Sequence, residues 1–203
     1  MSVDAVTTFL ALLAVLALLV VVASIAGWVV TRTTAGGPPW LRALRDAVGE
    51  LALWGASAVA VTATLGSLYL SEVAHFPPCE LCWYQRIAMY PLAVVLPIAA
   101  LRRDRAVRWY ALPLAVIGGG ISIYHYLLER FPDSVASSCE VEVPCTTVWI
   151  WKFHFLSIPG MAGIGFAAII TLVLLARPFR AVRGPDPTSG PVEDRATPED
   201  VLR

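Results

Sequence analysis

From Ala5 to Val30 the chain runs without a single charged side chain, and no other feature constrains its fold so strongly. A helix needs about 20 apolar residues to cross the hydrocarbon core of a bilayer. Helices suit that environment because every backbone N–H and C=O finds its partner inside the segment. Four more apolar segments follow, at 51–70, 83–101, 109–128 and 156–176. Gly118, Gly119 and Gly120 interrupt the 109–128 segment, which stays apolar enough to cross. The chain is 58% hydrophobic, well above the ~45–50% of soluble domains. The expectation is an all-α, polytopic membrane protein with five transmembrane helices, the first at 5–30. That first run is not read as a secretory signal, because MSVDAVTT lacks a basic leader and the apolar stretch is too long.

Arginine placement predicts orientation. Arg32, Arg42 and Arg45 fall in the 31–50 loop, Arg102, Arg103, Arg105 and Arg108 in the 102–108 loop, and Arg177, Arg180 and Arg183 after the last span. The other side carries only Arg130 and Lys152. The positive-inside rule then puts the N-terminus outside, the C-terminus in the cytoplasm and all four cysteines on the oxidising face. A formal net charge of zero argues against a nucleic-acid partner, which needs concentrated positive charge. Residues 1–183 read as one membrane domain without internal repeats. Residues 184–203, rich in Pro, Gly and acids, read as a disordered cytoplasmic tail.

The chemistry concentrates in PPCELCWYQR, residues 77–86. Cys79 and Cys82 sit at a helix start, where the helix dipole favours a thiolate, and their short spacing closes a ring that can be made and broken reversibly. Pro78 suits the first helical turn. Arg86 lies four residues past Cys82 and shares its face, a fixed cation that would favour the Cys82 thiolate. Cys139 and Cys145 bracket EVEVP, a short loop in the outer segment 129–155. Redox exchange is one reading of these four thiols, and structural disulfides are another. A zinc site is a third, weakened by the five residues between Cys139 and Cys145. No metal is assigned.

Two outward pairs on one small membrane protein point to a relay, and a relay needs an electron acceptor. Neither a haem-attachment Cys-x-x-Cys-His nor a dinucleotide fingerprint occurs. A lipid-soluble quinone is the acceptor that a helix bundle reaches directly. Arg86 and His125, both near the outer ends of spans, are the candidate donors to a reduced quinone oxygen; Arg86 can equally snorkel to the interface, and a histidine on an apolar face is commonly structural. His75 and His154 lie in outer loops and have weaker claims. Trp149, Trp151, Phe153 and Phe155 alternate, so an extended chain would align them on one face as an interfacial anchor or a substrate surface. Pro91, Pro97 and the glycine triplet are candidates for shaping a cavity.

PCELCWYQR, SIYHYLLERFP, the Cys139–Cys145 loop, FLSIPGMAGIGF and RPFR occur in the order and spacing that resemble the bacterial disulfide-bond formation protein B family (DsbB), especially its short-loop form in Gram-positive bacteria, BdbC. The resemblance covers about residues 51–180. It implies a four-helix transmembrane bundle, here with one extra N-terminal transmembrane helix. It also implies an enzyme in the bacterial cell membrane that reoxidises a soluble, extracytoplasmic thioredoxin-fold oxidase (DsbA-like) and reduces a quinone, ubiquinone or menaquinone. By the same resemblance Cys139 would form the mixed disulfide with the partner and Cys145 would complete the loop pair. Electrons would pass to Cys79 and Cys82, with Cys82 nearest the quinone and Arg86 and His125 as quinone contacts. A vitamin K epoxide reductase-like enzyme is the related alternative, disfavoured because there the loop pair precedes the Cys-x-x-Cys pair. A non-enzymatic membrane protein with two structural disulfides is the competing class.

Overall fold

A computed structural model describes residues 2–34, 38–104, 106–132 and 143–176. Five helices carry the fold: α1 (Val3–Thr33), α2 (Pro39–Leu68), α3 (Glu80–Arg102), α4 (Arg108–Arg130) and α5 (Ile158–Leu175). Each is long and apolar enough to cross a membrane, and the chain is an all-α, multi-pass membrane protein. The expected tail, 184–203, lies outside the described residues, as does Cys139.

The expected spans fall inside these helices, but α2 begins well before 51. Pro39 sits at its first position, where a missing N–H costs nothing, and Gly49 alone does not interrupt the helix. Much of the expected 31–50 loop is therefore helix. At its other end α2 loosens into a π-helical turn, Tyr69–Val73.

Helices α2, α3, α4 and α5 pack around one core, and α1 lies outside that bundle, chiefly against α5. Small residues bring the helices close, as is usual where lipid removes any hydrophobic drive between them. Ala52, Ala56 and Ala60 of α2, Ala88 of α3, and Ala111 and Ala115 of α4 are buried around Leu92, Leu96, Phe166 and Ile169. Large apolar side chains such as Leu65, Leu101, Ile117 and Leu174 face outward, the arrangement a lipid solvent requires.

Gly118 has a specific role. A Cβ there would collide with the Phe166 ring and Ala88, whereas at Gly120 it would meet nothing. Gly118 thus seats Phe166, and none of the triplet lines the cavity beside Arg86 or the one near Glu50. Pro91, Pro97 and Pro113 lie within otherwise continuous helices.

The segment leading into α5 departs from the expected extended strip of aromatics. Phe153 and His154 adopt positive φ, and the backbones of Lys152 and Leu156 pair across the resulting tight turn. That turn ends the alternation after Trp151. Trp149 stacks on Phe76 with ring centroids 5.2 Å apart, and the Arg130 guanidinium lies over Trp151. The Tyr126 hydroxyl donates to the Phe155 carbonyl at 2.9 Å, tying the turn to α4.

Candidate active site at a cysteine pair

Pro77 and Pro78 hold the approach to α3 extended, since a residue preceding proline avoids the helical region. Cys79 is then the N-cap residue and Glu80 the first helical one. Pro78 stands just ahead of the helix instead of inside its first turn. This start turns Cys79 inward, where it is 6% exposed. Its sulfur lies 3.2 Å from that of Cys82, close enough to share a hydrogen, and both thiols are free.

His125, on α4, meets this pair. Its Nε2 lies 3.6 Å from the Cys79 sulfur and 3.2 Å from the Cys145 carbonyl oxygen. A carbonyl can only accept, so Nε2 carries the hydrogen. His125 is 2% exposed, and its Nδ1 has no hydrogen-bond partner among the described residues. Cys145 is disulfide-bonded, with its sulfur partner outside the described residues. It packs with Cys79, Leu81 and Leu128 in one small buried cluster. The fold thus gathers Cys79, Cys82, His125 and Cys145, which the sequence spreads over sixty-six positions.

The Cys79 thiol is held well below its ordinary range. The hydrogen bond with the Cys82 thiol is the largest cause, burial opposes it, and the His125 ring adds a hydrogen bond and charge. His125 thus gives Cys79 a stabilising neighbour besides Cys82, one that helix spacing alone, which points to Arg86 beside Cys82, does not reveal.

Arg86 turns toward α2. Its Nε–H donates to Ser67 Oγ at 3.0 Å and its Nη2 to the Ser67 carbonyl at 3.1 Å, while its guanidinium covers the Trp83 ring. It is fixed inward and does not snorkel outward. Beside it lies a cavity of about 480 Å³ between α1, α2, α3 and α5, mostly apolar, with Cys82, Gln85, Arg86 and Tyr90 of α3 and Thr62 and Ser67 of α2 as its polar lining. That volume falls in the range of small-molecule sites, ~300–1,000 Å³. Neither His125 nor any of Gly118, Pro91 and Pro97 lines it. A smaller cavity of about 250 Å³, near Glu50, Arg103 and Arg108 at the opposite end of the bundle, is remote from the sulfurs.

Two residues of the site escaped sequence reasoning. Gln85 is 6% exposed, lines the larger cavity, and has no partner for its Nε2 among the described residues. Burying an unsatisfied amide costs roughly 1–3 kcal/mol, so such a donor marks a ligand's place. Its only signal was a polar residue at the mouth of an apolar span. Glu129 lies one turn beyond His125, with Ser157 as its hydrogen-bonding neighbour and Oε2 buried without a partner among the described residues. An acid four residues after a histidine on one helix was its signal.

The ligand atoms of Cys79, Cys82 and His125 lie within 4.8 Å of one another, the one such group among the described residues. Two sulfurs on a tetrahedral zinc at about 2.3 Å would stand about 3.8 Å apart. The observed 3.2 Å is tighter and suits direct S–S bond formation better than zinc.

Comparison with known proteins agrees with this chemistry. The sequence model of the family described as Disulfide bond formation protein DsbB matches residues 50–176. The chain is 48% identical over 126 residues to Disulfide bond formation protein C of Bacillus subtilis, which covers 62% of this chain and 91% of that relative. It is 49% identical over 117 residues to Probable disulfide formation protein C 1 of Bacillus anthracis, 57% of this chain and 82% of the relative. Probable disulfide formation protein C of Halalkalibacterium halodurans is 44% identical over 128 residues, 62% and 93% of the two chains. No solved structure matches. With a family match over more than half of its length and a free cysteine pair at the start of a membrane helix, this chain belongs to the DsbB family of membrane disulfide-bond formation proteins.

Proposed function

We propose that this protein reoxidises a soluble, extracytoplasmic dithiol oxidase of thioredoxin fold and delivers the two electrons to a membrane quinone, ubiquinone or menaquinone. One observation carries the reading. Cys79 faces His125 and Cys145, while Cys82 lines the apolar cavity, so the pair joins a thiol-exchange side to a lipid-soluble side. Cys79 and Cys82 stand at the end of the bundle where arginines are scarce, which supports an outward-facing site.

The steps balance in electrons. A thiolate of the partner attacks Cys139 of a Cys139–Cys145 disulfide, and the partner's second thiol resolves the mixed disulfide. The partner leaves oxidised and the loop pair reduced. A loop thiolate then attacks a Cys79–Cys82 disulfide; the loop pair reoxidises and the dithiol form of Cys79 and Cys82 results. Such exchange needs a good leaving thiolate; Cys82 leaves toward the cavity, beside Arg86, when the loop thiolate attacks the Cys145-facing sulfur of Cys79. His125 donates Nε2–H toward that sulfur, so its role here belongs to the cysteines. A quinone in the cavity would supply a two-electron, two-proton acceptor that restores the Cys79–Cys82 disulfide. The lining fits a quinone: Gln85 offers its unpartnered N–H and Arg86 a cation to the head group, and most of the remaining lining is apolar.

The test supplies purified protein with a reduced thioredoxin-fold oxidase and follows quinone absorbance. Quinone reduction in step with partner oxidation, abolished by Cys79→Ser, is expected. A partner that stays reduced sinks the proposal. If both cysteine pairs proved poised below about −300 mV, they would be structural bridges instead.

A further inference from the structure

Helix α1 lies wholly before the region matched to the family, which begins at residue 50. It is nonetheless built into the site. Leu10, Leu13, Ala14, Leu16, Ala17 and Val20 line the same cavity as Cys82, Gln85 and Arg86. Ala11 and Ala14 are buried against Leu156, with Met161 and Ile164 packed around them. Leu10 presses on Gly66 of α2, where a Cβ would come within 3.0 Å of it. The Asp4 carboxylate pairs with the Lys152 ammonium. Asp4 is exposed and Lys152 only partly buried, so the pair adds little stability, and the alanine face supplies the packing.

The cavity's shape derives from this wall. From Leu10 to Val20 a helix rises about 15 Å. Polar groups on the lining come from α2 (Thr62, Ser67), α3 (Cys82, Gln85, Arg86, Tyr90) and Trp149, and α1 contributes an unbroken apolar strip. A flat head group needs only the polar end. An apolar strip this long suits a linear hydrocarbon chain. Small side chains at Ala14 and Ala17 leave the room, while Leu12 and Leu19 point outward to lipid.

We propose that α1 is the tail-holding wall of the site: its Leu13–Ala17 face binds the isoprenoid chain of the quinone whose head lies at Cys82, Gln85 and Arg86. This rests on the quinone reading above. The wall would set which quinones bind by tail, leaving exchange with the protein partner untouched.

The experiment measures equilibrium binding, by quenching of tryptophan fluorescence, of a prenylated and a tail-less quinone to full-length protein in lipid. Trp149 lines the cavity and reports on it. Ala17→Phe should weaken the prenylated quinone by roughly tenfold, the contact of about two buried methylenes, and leave the tail-less one unchanged. Leu13→Ala should weaken the prenylated quinone selectively as well, and decides the matter if Ala17→Phe does not fold. Leu19→Phe, on the lipid face, should change neither. Equal weakening of both quinones, or of neither, overturns the wall; the second result would leave the strip to a lipid acyl chain. Wild-type protein that binds neither quinone removes the proposed function and the wall together.

Discussion

His125 stands between two sulfur centres, and Nε2 is its partnered ring atom among the described residues, facing the Cys79 sulfur and the Cys145 carbonyl. An ordinary thiol ionises near pH 8.5. Cys79 lies below that because Cys82 and His125 stabilise its thiolate more than burial destabilises it. A lowered value means that the thiolate persists as pH falls, and loss of a stabilising partner moves the titration upward. In reduced protein, thiolate ultraviolet absorbance at neutral pH should therefore fall in His125→Leu, with the titration displaced to higher pH. Cys82→Ala should displace it further, since the Cys82 hydrogen bond is the larger cause. An unchanged titration in His125→Leu would remove the histidine from the cysteine chemistry. That Cys79 and His125 meet was not legible in the sequence, because forty-six positions separate them and only the packing of α3 on α4 closes the gap.

At the scale of elements, helix α4 illustrates how much depends on one missing side chain. Gly118 admits the Phe166 ring of α5, and Ala88 of α3 fills the space behind it. Overpacking of this kind typically costs about 1–3 kcal/mol. Gly118→Ala should lower the thermal midpoint in detergent, while Gly120→Ala, with open space around it, should hold or raise it through a better helix propensity. Equal effects at the two positions would show that neighbouring helices yield freely there. The sequence marked the triplet as unusual without ranking its members, because their ranking depends on which face meets α5. The start of α3 was more legible. Two prolines, a cysteine and an apolar run dictate an extended approach and then a helix, and the structure differs only in placing Pro78 one step outside.

At the scale of the whole molecule, the tie between Asp4 and Lys152 puts the first residues of α1 at the same end as the loop that carries Cys145 and leads to α5. Arg102 and Arg103 close α3 at the other end. From the arginine bias we propose that the first end lies outside. In a background with the native cysteines replaced by serine, Asp4→Cys should react with a membrane-impermeant thiol reagent in intact cells, and Arg102→Cys only after lysis. The reverse pattern would invert the topology and put the cysteine pair on the reducing side, where a disulfide-forming role fails.

Charge-free runs determined by themselves that this chain is a helical membrane protein, because a bilayer admits few alternatives for so many unbroken apolar residues. Hydropathy is a local property, and the five helices could be read from it. The Cys-x-x-Cys spacing likewise narrowed the chemistry to redox exchange, a structural bridge or a metal site, since two thiols one turn apart at a helix start can close a bond reversibly or share an ion. What only the tertiary structure decided is which groups surround those thiols. His125 faces Cys79 and not the cavity, Gln85 enters the site, and α1 forms one of its walls. Each of those facts depends on which side of a helix meets which neighbour. In an apolar span almost every side reads alike, so the sequence carries little amphipathic signal from which a facing could be inferred.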